Sequence, residues 1–237
     1  MSVRITVKIK MSEFRKTSLF PLIRHLSKLV TPVFARYPIT ANHITSASLV
    51  SGLAAAWCGT KGNAVWDAAA GILFVITYIL DNCDGEIARI KKQCTTFGML
   101  FDSFVDWVVH TALFAGLGIG AATRFGNDLL FWLGVVASVG CTINYIVGLI
   151  LDARGKTAIE SEGTCPAKEI RTTHREPEGL SDWVLYIFRE LTRADFCFIF
   201  LAMALFNQTW VLIPAGAIGS QVYWISQFFK GANDFHV

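Results

Sequence analysis

Four carboxylates carry most of the chemistry legible in this chain. Asp81, Asp84, Asp102 and Asp106 fall within the stretch DNCDGEIARIKKQCTTFGMLFDSFVD, at the ends of long apolar runs. A carboxylate close to a bilayer's hydrocarbon core is costly and persists there with a partner or a task. On a helix turning about 100° per residue, with Asp81 at zero, Asp84 lies near −60°, Gly85 near +40°, Ala88 near −20° and Arg89 near +80°. One face at the end of a span would hold them all. Gly98, Asp102 and Asp106 recur every fourth residue and share a face of the next helix. The KKQCTT stretch between them is short enough for a tight turn, so two antiparallel helices would offer two carboxylates each to one space. All-oxygen ligation of this kind suits Mg²⁺ or Mn²⁺. Four carboxylates exceed what one Mg²⁺ takes from protein, whereas two ions about 4 Å apart would use them and clamp a phosphoryl group. Gly85 and Ala88 leave room for a ligand against the helix, and Arg89 can pair with phosphate or carboxylate. Two other readings stay open on the residues alone: an acidic solvated loop, and an ion or proton pathway. A pathway would distribute ionisable groups through the membrane's depth, and these cluster near one end.

The elements that must position these residues are helices in a membrane. The chain has 237 residues, 53% hydrophobic and 16% charged, with mean hydropathy +0.48. Such a composition excludes an ordinary soluble domain. The expected fold is all-α: a single polytopic domain over 1–237, with a six-helix bundle over 42–229. Spans of the roughly 20 residues that a bilayer requires are predicted at 42–60, 64–87, 98–122, 128–151, 183–206 and 208–229. A polar, charged link covers 152–182. Within the N-terminal segment 1–36, residues 16–36 predict an interfacial amphipathic helix, with Leu19, Leu22, Leu26, Leu29, Val30 and Val33 on one side and Arg24, Lys28 and Arg36 facing away. No apolar signal-peptide core follows the first basic residues. Gly52, Gly71, Gly116, Gly118, Gly120, Gly140 and Gly148 suit close helix packing in lipid. The six cysteines are scattered without a CxxC pair, which argues against a zinc site or a disulfide framework. With an even number of spans both termini share a side. Of the 21 Lys and Arg, all but Lys61 and Arg124 then fall on it, together with the four Asp. The positive-inside rule makes that side cytoplasmic.

The pattern Asp81-x2-Asp84-Gly85-x2-Ala88-Arg89-x8-Gly98-x3-Asp102-x3-Asp106 resembles the signature of the CDP-alcohol phosphotransferases, also called CDP-alcohol phosphatidyltransferases. All eight fixed positions match, spacer included. The segment Thr40-Ala41-Asn42-His43-Ile44-Thr45 is similar to the Thr-Pro-Asn-x-Ile-Thr lead-in to that family's first span, with Ala41 in place of proline. The resemblance implies transfer of a phosphoalcohol group from a CDP-linked donor to an acceptor hydroxyl, with release of CMP. It implies that Asp81, Asp84 and Asp102 hold two metal ions, and that Asp106 takes the acceptor proton and touches metal as well. It further implies that Gly85, Ala88, Arg89 and Gly98 shape the CDP site, with Asn42 and Thr45 at the nucleotide end.

The expected donor is CDP-diacylglycerol and the acceptor a small alcohol or its phosphate, in phospholipid biosynthesis. The runner-up uses a soluble CDP-alcohol, such as CDP-ethanolamine or CDP-inositol, with a lipid or phosphosugar acceptor. A more distant alternative is an ion-coupled transporter. Arg189 and Arg193, four residues apart on the cytoplasmic side, could fork an acceptor phosphate; anchoring, or pairing with Glu190 and Asp195, explains them equally well. His110 extends the Gly98–Asp102–Asp106 face by one turn and is read first as a hydrogen-bonding group within the bundle, second as a proton relay. Membrane lipids are expected partners and nucleic acid is not. A homodimer is compatible with this reading.

Overall fold

A computed structural model describes residues 22–156 and 195–226. Among the described residues the regular structure is entirely helical: α1 Ile23–Ala35, α2 Ala41–Gly59, α3 Ala64–Ile90, α4 Thr96–Phe125, α5 Asp128–Lys156, α6 Phe196–Leu205, a 3₁₀ turn at Thr209–Val211, and α7 Leu212–Ser226. Helix starts follow side-chain chemistry. Thr40, Asn63 and Thr95 are extended N-cap residues, and their side-chain oxygens accept from the backbone N–H of His43, Trp66 and Gly98. His43, uninformative in the sequence, completes the first cap: its Nδ1 accepts from the Thr40 N–H at 3.4 Å. At the far end of α4 a left-handed Gly126 closes the helix.

Among the described residues, three helices are long and apolar enough to cross a bilayer: Ala64–Ile90, Thr96–Phe125 and, within α5, Asp128–Leu151. α2 has 19 residues, but Asn42, His43, Thr45, Ser46, Ser48 and Ser51 make it less apolar. α6 and α7 are shorter, with 10 and 15 residues. Helices thus occupy the expected first to fourth spans and parts of the fifth and sixth. Residues 183–194 and 227–229 of those last two spans lie outside the described residues, as do Leu19, Arg189 and Arg193. α5 also runs five residues past its expected end, to Lys156.

α2 stands at the centre, packed on α3 on one side and α4 on the other; α5 lies on α4, α7 on α5, and α6 and α1 on α3. Close approach rests on small residues, as lipid-embedded helices require. A Cβ on Gly116 would run into the Ala56 carbonyl, and one on Gly120 into that of Gly59. Gly52, Gly71, Gly118 and Gly140 likewise lie against neighbouring helices, whereas Gly148 faces open space. The core joins Phe74, Val105, Val109, Leu113, Phe200 and Ile213. Cys58, Cys83, Cys141 and Cys197 are free thiols, and Cys94 is disulfide-bonded.

α1 is strapped to the start of α6 and to α3 by polar contacts. Both oxygens of the fully buried Asp195 accept from its first N–H groups, Leu22 at 2.8 Å and Ile23 at 3.0 Å, where the helix dipole favours an anion. Ser27 donates to Glu86 at 2.9 Å. Beyond its C-terminus, Lys91 Nζ donates to the carbonyls of Tyr37 and Ile39 at 2.6 and 2.7 Å. The packed stripe is therefore Ile23, Ser27 and Thr31. Leu22, Leu26 and Val30 border it on one side, with exposed Leu29 and Val33 farther round the same arc, while exposed Arg24 and Lys28 lie on its other side. The expected apolar residues from Leu22 to Val33 thus share one side, within about 100° of arc, and the structure adds that the stripe packed on the bundle runs along the edge of that side and is half-polar. Periodicity cannot register that stripe, because Ser27 and Thr31 read as polar.

Candidate functional site

α3 spans 27 residues and α4 spans 30, about 40 and 45 Å of helix at 1.5 Å per residue, against a hydrocarbon core of about 30 Å. Both helices therefore project beyond the core. The aspartates occupy the last turns of α3 and the first turns of α4. The connection between the helices is tight: Gln93 N–H reaches back to the Ala88 carbonyl at 2.8 Å, and Lys92 takes φ +55°.

Asp81, Asp84 and Asp102 each bring a carboxylate oxygen within 4.8 Å of the other two. Asp84 is buried, and Asp81 and Asp102 are half-buried. Three like charges this close, partly out of water, repel one another strongly unless a cation or a shared proton sits among them. The all-oxygen donor set fits a hard divalent ion. Asp106 lies one turn along α4, exposed to solvent and outside that trio.

The other predicted residues surround the cluster. Thr45 is 3% exposed and its hydroxyl reaches Asp84 Oδ2 at 2.5 Å, so the structure places it behind a carboxylate. The same hydroxyl lies 3.1 Å from the Ala41 carbonyl. Gly85 lies beneath Arg89: a Cβ there would come 3.5 Å from the guanidinium. Gly98 and Asn42 adjoin, with Asn42 Oδ1 3.4 Å from where a Gly98 Cβ would stand. Ala41 donates its backbone N–H to Gln93 Oε1 at 3.3 Å, a bond that proline could not make. Ala88 is half-buried on the same stretch of α3.

Several residues went unremarked in the sequence. Tyr78, at about +60° on the Asp81 scale, lies on the site's own face one turn deeper, and extending the angular reading backward by one turn would have found it. Its hydroxyl lies 2.9 Å from His110 Nε2, and His110 Nδ1 lies 2.8 Å from the Asp106 carbonyl. The in-bundle hydrogen bonding expected of His110 is present. At the opposite end of α3, buried Asp67 accepts from Thr209 at 2.8 Å and pairs with Arg124 at 3.9 Å. Lys61 stacks over Trp57, 4.2 Å from the ring centre. These contacts occupy both basic residues expected on the side away from the aspartates.

A helical bundle with membrane-length helices and a carboxylate cluster at one end defines a membrane-embedded protein able to hold a divalent metal. Residues 38–218 match the family described as CDP-alcohol phosphatidyltransferase, and the chain belongs to that family. It is 33% identical over 114 residues to a phosphatidylinositol phosphate synthase of Mycobacteroides abscessus, covering 48% of this chain and 47% of that protein. An archaetidylinositol phosphate synthase of Pyrococcus horikoshii is 25% identical over 114 residues, 48% of this chain and 59% of that one. A bifunctional IPC transferase and DIPP synthase of Rubrobacter xylanophilus is 37% identical over 54 residues, 23% and 12% of the two chains. The matches thus span at most about three fifths of these curated relatives.

Proposed function

We propose that this protein transfers a phosphatidyl group from CDP-diacylglycerol to a hydroxyl of a small polyol phosphate, releasing CMP at the membrane surface. The carrying observation is the convergence of the Asp81, Asp84 and Asp102 carboxylates within 4.8 Å. These residues, with Asp106 touching metal as well, would hold Mg²⁺ or Mn²⁺, two ions by the number of carboxylates. When bound, the ions supply charge neutralisation for a diphosphate and its departing CMP. Arg89, above Gly85, would pair with phosphate oxygens. Gly98 and Asn42 would border the nucleotide. Asp106 would take the proton from the acceptor hydroxyl as that oxygen bonds to the β-phosphorus and the bond from phosphorus to the CMP oxygen breaks. The proton then passes to water. The choice of polyol phosphate draws on the names of the relatives. Arg189 and Arg193 would grip its phosphate.

The proposed topology has six spans, with both termini and the site on the cytoplasmic side. α1 would lie in the headgroup layer, Leu29 and Val33 toward lipid and Arg24 and Lys28 toward anionic headgroups. The distribution of Lys and Arg supports that orientation.

The test is CMP release by the purified full chain from CDP-diacylglycerol, screened against inositol phosphate, glycerol phosphate and unphosphorylated polyols, with and without EDTA. Turnover with a phosphorylated acceptor, abolished by EDTA and restored by Mg²⁺ or Mn²⁺, is expected. Arg193→Ala should raise the acceptor KM about tenfold or more, the effect of a lost charge-assisted contact, and leave the donor KM in place. Full turnover after rigorous chelation would defeat the metal reading. Release of CMP only from a soluble CDP-alcohol would defeat the donor assignment.

A further inference from the structure

α3 and α4 carry the carboxylates, yet their backbones scarcely approach one another; each packs instead on α2. The cluster therefore spans a cleft between two helices. One turn deeper, a hydrogen bond crosses that cleft: Tyr78 on α3 to His110 Nε2 on α4, at 2.9 Å. The backbone carbonyl of Asp106 can only accept, so His110 Nδ1, 2.8 Å away, must carry its proton. In the neutral ring Nε2 is then the acceptor and the Tyr78 hydroxyl donates. Both nitrogens are engaged, one by Tyr78 and one by main chain. That arrangement suits a brace. Tyr78 is held in turn by its ring, whose centre lies 5.0 Å from that of the fully buried Phe74, and the His110 ring meets the same Phe74 at 5.8 Å.

We propose that Tyr78 and His110 are positioning residues: their bond sets the spacing of the α3 and α4 carboxylates and thereby the affinity of the cluster for a divalent cation. Without a cation, whatever negative charge the three carboxylates retain pushes Asp81 and Asp84 away from Asp102. A link across the cleft opposes that separation before metal arrives, and outer partners of this kind tune metal affinity. The inference rests on the metal reading above.

The experiment measures Mn²⁺ binding calorimetrically to the substrate-free full chain in lipid nanodiscs, with thermal unfolding in parallel. Tyr78→Phe keeps the ring against Phe74 and removes the hydroxyl. His110→Phe keeps a flat ring and removes both nitrogens. Tyr78→Phe is expected to weaken Mn²⁺ binding about two- to tenfold, the range for losing one net hydrogen bond, and His110→Phe, which also gives up the bond to the Asp106 carbonyl, at least as much. The double variant should bind no more weakly than the poorer single one, because one interaction is removed in all three. Wild-type affinity in Tyr78→Phe, even with a lowered unfolding temperature, overturns the proposal and returns the pair to core packing. Multiplicative losses in the double variant overturn it as well. Should His110→Phe not accumulate, Tyr78→Phe decides alone. Asp84→Asn separates the two layers of argument. If it abolishes Mn²⁺ binding while Tyr78→Phe binds normally, the brace fails and the metal site stands. If the wild type binds no Mn²⁺, both fail.

Discussion

Thr45→Val is the most discriminating single substitution at the cluster. It exchanges a hydroxyl for a methyl of similar size at a residue that is 3% exposed, so packing is nearly conserved. What disappears is the 2.5 Å contact with Asp84 Oδ2. Asp84 is itself 4% exposed, so water cannot freely replace the lost donor. A hydrogen bond to a charged group is worth about 1.5–3 kcal/mol, which is about ten- to over a hundredfold in an equilibrium. That range is an upper bound here, because the same hydroxyl lies 3.1 Å from the Ala41 carbonyl and a single proton serves both acceptors. A carboxylate freed at one oxygen also turns more easily away from its partners, and loss of such support costs metal affinity about tenfold or more. The expectation is therefore about tenfold weaker Mn²⁺ binding by calorimetry and a matching rise in the metal concentration for half-maximal CMP release. Thr45→Ser, which keeps the hydroxyl, should stay within about twofold of wild type. The reasoning is refuted if Thr45→Val binds Mn²⁺ normally but raises the donor KM. That outcome would make Thr45 a nucleotide contact, as the resemblance implied, and its hydrogen bond to Asp84 incidental.

Asp106→Asn should keep Mn²⁺ and donor binding while lowering kcat by about 10²–10⁴, the range for losing general-base help, whereas Asp84→Asn should lose metal first; equal loss of binding in both would make Asp106 primarily a metal ligand. Gly120→Val places a side chain against the Gly59 carbonyl, main chain that cannot swing aside, and should destabilise the bundle by about 3 kcal/mol or more, while Gly148→Ala, facing open space, should leave the unfolding temperature in nanodiscs within a degree or two; no difference between them would refute the close α2–α4 approach. Asp195→Ala removes the acceptor for two buried N–H groups and should make Arg24 and Lys28 markedly more sensitive to trypsin, with protection retained counting against the α1 strap. A cysteine near Arg124 should label from outside intact cells and one near Thr172 should not; the reverse pattern would invert the proposed orientation.

The sequence by itself determined the membrane class, the helical fold, the location of most helices, and three carboxylates that converge as their angular spacing requires. Those features are local. Hydrophobic run length, the 100° helical step and capping side chains depend on neighbours a few residues apart, and a short α3–α4 connection brings two such faces together. Tertiary structure decided what depends on distant partners. Thr45 stands behind Asp84 because α2 packs on α3. Asp195 caps a helix more than 170 residues earlier. α1 buries Ser27 and Thr31 because Glu86 and the face of α3 receive them. In the same way α2, packed between α3 and α4, holds their backbones apart and leaves a cleft that Tyr78 and His110 bridge. A polar residue in a sequence carries no mark of whether water or a partner will satisfy it, and only the packed bundle supplies that partner.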